Sequence, residues 1–205
     1  MSFLESVLEK HCKDIKGVLH IGAHYGEEEP IFSALGIGNQ AFFEPVLAAF
    51  VVMRLTTGGG HPYFNVALGN INGSVPMFVD TANGQSSSIL KPKMHLIHYP
   101  DVHFDKTVTA QVRRLDDMIF EGLLDPNLYD FMLIDVQGYE LEVLRGAEEF
   151  INYNAKYIFC EVNRSQLYEN GCLIEEIDAF LSQFDRVETT PWNEYDWGDA
   201  LYIRR

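Results

Sequence analysis

Residues 17–21 form an apolar run that breaks on Gly22-Ala23-His24-Tyr25-Gly26, and a second apolar run closes on Phe43-Glu44-Pro45, 22 residues after the first glycine. Strand, glycine turn, helix and a strand ending on an acid make the opening of a nucleotide-type α/β domain. In such a unit the turn lets a ligand approach the backbone, and the acid accepts from ribose hydroxyls. The dinucleotide fingerprint G-x-G-x-x-G is missing, because Ala23-His24 follows Gly22 and the next glycine is Gly26. Glu27-Glu28-Glu29 then follows. Carboxylates at a helix start suit its dipole but repel a pyrophosphate placed there. A ligand with a cationic sulfonium and no phosphate meets no such conflict, and S-adenosylmethionine is that ligand.

The rest of the chain alternates strand and helix patterns, the signature of a mainly parallel sheet with helices on both faces. Strands are expected at 17–21, 41–43, 63–68, 107–112, 129–135 and 157–162, and helices at 27–35, 47–55, 115–122, 139–150 and 173–184. Asn70-Ile71-Asn72-Gly73 is turn chemistry before an extra strand at 75–79, so an added β-hairpin is expected there. Short spacing between strands at 186–190 and 200–204 predicts an antiparallel pair at one end of the sheet. Residues 2–16 read as an amphipathic helix. Residues 80–106 are polar and turn-rich and then carry two prolines and three histidines, which predicts a long acceptor or lid loop. All 205 residues are expected to form one domain.

Net charge is −15, with Arg113-Arg114 and Arg204-Arg205 the only modest basic groupings, so nucleic acid is not the expected partner. A neutral or cationic acceptor fits better. The three cysteines, Cys12, Cys160 and Cys172, form no C-x-x-C pair. With no secretory signal and no spanning apolar run, this predicts a soluble chain of a reducing, cytoplasmic compartment without membrane insertion. The sequence is silent on oligomeric state.

The order of motifs resembles the FkbM family of S-adenosylmethionine-dependent methyltransferases from about residue 18 to residue 203. The pieces that carry the resemblance are Ile21-Gly22-Ala23-His24-Tyr25-Gly26, Phe43-Glu44-Pro45, Val66-Ala67-Leu68-Gly69, Ser86-Ser87-Ser88-Ile89-Leu90, Val112-Arg113-Arg114-Leu115-Asp116-Asp117, Leu133-Ile134-Asp135-Val136-Gln137-Gly138-Tyr139-Glu140 and Leu144-Arg145-Gly146-Ala147. The resemblance implies a class I Rossmann-like methyltransferase with a seven-stranded sheet and an antiparallel last strand. It also implies O-methylation of a hydroxyl, most often on a sugar or glycoside, such as a terminal deoxyhexose. Two positions depart from the pattern: His20 stands where an acid is usual, and Gln137 stands where Asp-Val-Glu-Gly has its glutamate.

Turn and strand-end positions make Gly22, Ala23, His24, Gly26, Glu44 and Pro45 candidates to hold the cofactor, with His20 at the usual acid position. Asn65 and Ala67 are candidates for the adenine pocket, and Ser86 and Ser87 for the methionine carboxylate or the acceptor. Asp135 ends a strand with few polar neighbours and is expected to face the crevice, as a cofactor contact and as the base. His98 is the alternative base. His95, Glu161, Asn163 and Trp192 are candidate acceptor contacts. His95, His98 and His103, with Asp101 and Asp105, read as a metal site, a gate over the acceptor, or loop histidines without a role; a divalent ion stays open. Asp116 reads as the N-cap of its own helix. The competing functions are methylation of a small natural product and a catalytically inactive Rossmann domain that binds a glycan or partner.

Overall fold

The computed structural model describes residues 2–205. Helix α1 (Phe3–His11) starts from a capping box at Ser2 and leads into β1 (Gly17–Ile21), α2 (Glu29–Ala34), β2 (Asn39–Phe43) and α3 (Leu47–Thr56). Then come β3 (Tyr63–Phe64), β4 (Ala67–Leu68), β5 (Gly73–Val79), α4 (His95–His98), β6 (Lys106–Arg113) and α5 (Leu115–Phe120). The chain finishes with β7 (Phe131–Ile134), α6 (Glu140–Gly146), α7 (Glu148–Tyr153), β8 (Tyr157–Asn163), α8 (Ile174–Phe180), β9 (Phe184–Thr189) and β10 (Trp197–Arg204). Among the described residues no helix is long and apolar enough to cross a membrane.

Seven strands form one sheet in the order β3-β2-β1-β7-β8-β10-β9, parallel except for β10, which runs antiparallel to both its neighbours. Every residue of β1, β7 and β8 is buried. Covering both faces of a parallel sheet turns its strands into unbroken apolar runs rather than alternating ones. Side chains still alternate between layers: Leu19, Ile21, Met132 and Ile134 pack with α5 to α8, whereas Val18, Phe131 and Leu133 pack under α1 and Phe32 of α2.

Four expectations change. The strand expected at 63–68 is cut in two. After Phe64 the chain leaves the large sheet, and Asn65 Nδ2 donates to the carbonyls of Glu44 and Pro45 at 2.8 and 3.1 Å, supplying the end of β2 with partners. Ala67–Leu68 instead pairs with β6 in a second sheet of order β4-β6-β5. The added hairpin therefore joins β5 to β6, and its connection is the whole of residues 80–105 rather than the turn at 70–73. The single helix expected over 139–150 is broken at Gly146. A methyl group on Gly146 would meet the Gly69 carbonyl oxygen at 1.9 Å, so the glycine permits a backbone-to-backbone approach. Asp116 then accepts from the backbone N–H groups of Glu149 and Phe150, both at 3.0 Å, and caps α7 rather than its own helix.

Candidate active site

The register of the sheet assembles the site. Ile21 lies beside Phe43 on one flank and Ile134 on the other, and Ile134 lies beside Cys160. One step further, at the carboxyl edge, the row reads Glu44, Gly22, Asp135 and Glu161, and β10 adds Asp199 directly opposite Glu161. Four acids thus stand in one row with a glycine among them. Ligands of open α/β sheets bind beyond this edge.

A hollow of about 630 Å³ opens over the row, lined by Gly22, Asp135, Glu161 and Asp199, by Glu27 and Glu28 ahead of α2, and by Phe3 and Leu4 of α1. Its size falls in the roughly 300–1,000 Å³ range of small-molecule sites. A smaller compartment of about 50 Å³ adjoins it, lined by Glu44, Pro45, Ala67, Ser87 and Tyr139. The two share Gly22, His24, Gln85, Asp135 and Gln137. No lysine or arginine lines either one among the described residues.

The glycine turn is held from inside. Gly22 has φ +78, and a methyl group on it would meet the Asp135 carbonyl oxygen at 1.8 Å. The glycine is therefore required by the neighbouring strand end, in addition to any ligand. Glu44, buried under the turn, accepts from the backbone N–H of His24 at 2.9 Å and of Val46 at 2.7 Å. Each of its oxygens keeps a further lone pair toward the compartment. The His24 ring bonds Glu27 Oε1 through Nδ1 at 2.7 Å and the Asn83 carbonyl through Nε2 at 2.9 Å. That second bond seats the segment 83–86 as a roof over the turn. Asp80 shapes the segment, accepting from Ala82 N at 2.8 Å and Ser86 N at 3.3 Å.

The four acids of the row, and Glu28 with them, are shifted one way. Loss of water around the carboxyl is the leading cause in each case, and it pushes Glu28, Glu44 and Asp199 up to about 7. Asp135 and Glu161 are raised too, first by desolvation; the neighbouring carboxylates then push Glu161 up further, while a hydrogen bond from Gln137 pulls Asp135 back. Asp135 itself stays open to the hollow at the bottom of this recess.

Of the site residues expected from the sequence, Gly22, Ala23, His24, Glu44, Pro45, Ala67, Ser86, Ser87, His95, Asp135 and Glu161 line the two spaces. Others do not reach them. His20 lies fully buried in the core, stacked on Phe42 at 4.4 Å and bonded to Gln40 Oε1 at 2.8 Å. Burial pushes it down to about 3, so it is a neutral packing residue and not a ligand contact. Gly26 has φ +79 and backs onto Thr57. Asn65 acts on backbone carbonyls at the end of β2, and Asn163 holds Glu161 Oε1 at 3.1 Å from behind.

The 80–105 connection sorts its three histidines apart. His95, buried among Tyr99, Phe104 and Tyr168, bonds Ser86 Oγ at 3.1 Å inside the hollow. His98 instead packs against Tyr195 at 4.5 Å and lines neither space, and the His103 carbonyl ties down Thr81. No group of three or more potential metal ligands comes together among the described residues. Trp192 packs on Arg164 and the core; the tryptophan that enters the hollow is Trp197, its Nε1 donating to Tyr99 Oη at 2.7 Å. Sequence reasoning passed over Tyr99 and Asp199, met Gln137 only as a departure from the family's glutamate, and weighed Trp197 beside Trp192 and Tyr195 as an aromatic face for a glycan. Of the first two, only Asp199 carried a signal, as a polar residue opening an otherwise apolar closing strand.

The model of the methyltransferase FkbM domain matches residues 20–187. The chain belongs to the FkbM methyltransferase family. It is 31% identical over 183 residues to the 2-O-methyltransferase NoeI of Sinorhizobium fredii, a match that covers 85% of this chain and 74% of that relative. Methyltransferase FkbM of Methylobacillus flagellatus KT superposes with a TM-score of 0.59 at 16% identity, covering 93% of this chain and 44% of the other. The present chain thus spans less than half the length of that solved relative. Magnesium protoporphyrin IX methyltransferase from Synechocystis, solved with bound S-adenosylmethionine, matches with a TM-score of 0.51 at 10% identity over 98% of this chain and 76% of its own. These structures share the Rossmann-like methyltransferase fold, and the family makes this chain a methyltransferase.

Proposed function

We propose that this methyltransferase uses S-adenosylmethionine to methylate a hydroxyl of a neutral or amine-bearing carbohydrate or glycoside. One observation carries the reading: Gly22, Asp135, Glu161 and Asp199 of the row face the hollow and Glu44 the compartment beside it, and among the described residues neither wall holds a lysine or arginine. Such a wall suits a cofactor that bears a sulfonium and an ammonium group and repels phosphate. The donor set agrees. Glu44 keeps lone pairs for ribose hydroxyls, and the acids around Gly22 receive positive charge. Ser86 and the backbone of segment 83–86 offer donors for a carboxylate. The compartment beside Glu44, at about 50 Å³, is smaller than a purine, so seating an adenosyl group there moves segment 83–86 off His24.

When bound, S-adenosylmethionine supplies an electrophilic methyl group: the S–CH₃ bond breaks as the O–CH₃ bond forms, the sulfur keeps the electron pair, and the hydroxyl proton must go to a base. Asp135 is that base. It is open to the hollow, stands next to Gly22 in the row, and has a proton affinity raised above that of an ordinary aspartate by desolvation. Trp197 and Tyr99 offer aromatic faces and a hydroxyl on the acceptor side, as sugar rings require. Oxygen as the attacked atom is supported by the name of the relative NoeI, a 2-O-methyltransferase.

The test is incubation with methyl-labelled cofactor and matched panels of neutral glycosides, amino sugars and sugar phosphates. Label should enter the first two panels and not the third. A melting point unmoved by S-adenosylhomocysteine would remove the cofactor assignment, and label entering only phosphorylated sugars would overturn the acceptor class.

A further inference from the structure

Gln137 sits between the two central carboxylates and is bonded in a single sense. Its Nε2 donates to Asp135 Oδ1 at 2.7 Å and to Glu161 Oε2 at 2.9 Å, which uses both amide hydrogens. The Tyr168 hydroxyl lies 3.0 Å from Gln137 Oε1 and 2.8 Å from the Ser86 carbonyl, and the Tyr168 ring is buried. Turning the amide over would set its oxygen against two carboxylates.

The backbone beneath is equally constrained. Gln137 has φ +57, and Glu140 Oε1 accepts from Val136 N at 3.2 Å and Gly138 N at 3.0 Å on either side of it. Asn163 occupies the other oxygen of Glu161. Among the described residues no donor bonds Asp135 Oδ2, which is left to the hollow.

Among the described residues no lysine or arginine lines the space around the pair, and His24 is the basic side chain that faces Asp135. Asp135 is faced by His24 and Glu27 from the glycine turn, and Glu161 by Glu140 of α6 and Asp199 of β10, with Tyr168 above both. Two neighbouring carboxylates without a counter-ion tend to share one proton, because ionising both sets like charges together. A double-donor amide fixed between them is the neutral group that offsets this.

We propose that Gln137 is the positioning residue of the site, binding Asp135 and Glu161 at once so that it favours the carboxylate form of both and leaves Asp135 Oδ2 free to take the acceptor's proton. This rests on the methyl-transfer reading only for the identity of that proton.

Side-chain carboxyl ¹³C titration of the full chain tests it, with Asp135→Asn and Glu161→Gln supplying the assignments. In Gln137→Leu the pair should lose its protons about one unit or more higher in pH than in the wild type, with a smaller rise in Tyr168→Phe, where the amide is freed to rotate. Once an acceptor is in hand, the acid limb of the kcat/KM profile should move by the same amount. If Gln137→Leu does not fold, Tyr168→Phe carries the test alone. Titration curves that superimpose on the wild type in the folded variants would overturn the proposal. A wild-type melting point insensitive to S-adenosylhomocysteine would instead sink the methyl-transfer reading, and the titration would still decide the role of the amide.

Discussion

Glu44 does two jobs with one carboxylate, since it already holds the backbone of His24 and Val46 while facing the compartment. Glu44→Ala should therefore lose both. Two backbone donors left unpaired cost about 1–3 kcal/mol of stability each, and S-adenosylhomocysteine affinity measured by calorimetry should fall together with the melting temperature. An unchanged affinity would take Glu44 out of cofactor binding. Asp135→Asn keeps the shape and removes the base, so turnover should drop by roughly 10²–10⁴-fold with cofactor affinity retained; wild-type turnover would exclude Asp135 from the chemistry. These two residues were legible in the sequence because each ends an apolar strand. His95 against His98, and Trp197 against Trp192, were not. In the sequence no strand or helix period says which side chain of each pair turns inward; packing against Tyr168 and Tyr195 separates the histidines, and contacts with Tyr99 and Arg164 separate the tryptophans.

The elements were read well where periodicity persists and poorly where a contact from far along the chain interrupts it. Residues 17–21 came out as expected because a fully buried parallel strand is a bounded apolar run. The break at Gly146 could not be read, because its causes are the carbonyl of Gly69 and the carboxylate of Asp116, neither of them local. Asp116→Ala should uncap α7 and destabilise the protein by about 1–2 kcal/mol, seen as a lower urea midpoint at unchanged slope. An unaltered midpoint would mean that water replaces the cap without loss.

The molecule as a whole concentrates its acids where they serve a ligand and burden the fold, with Glu161 placed across from Asp199 in neighbouring strands. Glu28, Glu44, Glu140 and Asp199 are raised to about 7 when folded, from ordinary values of 4.5 or 3.8. The folded protein holds protons there that the unfolded chain has released. That contribution is complete below about pH 4 and is lost as the pH rises through about 7. His20, held neutral by burial, works in the opposite sense, but its effect is finished above about pH 6.5. Between pH 6.5 and 8 the melting temperature of the protein without ligand should fall, less steeply in Glu28→Gln. A flat or rising trend in calorimetry over that interval would contradict the assignment. The count of seven strands and the antiparallel last strand were implied by the resemblance to the FkbM family, while the strand order, the second sheet and its long connection depend on pairings far apart in sequence.

The last strand begins at the chemistry and runs away from it, so Trp197 and Asp199 stand at the mouth while Arg204 bonds the carbonyls beside Lys156 at the far edge of the sheet. Phe3 and Leu4, by contrast, form part of the wall. A reporter, bead or partner protein attached after Arg205 would hang well clear of the hollow. The same cargo fused just ahead of Ser2 would crowd the entrance.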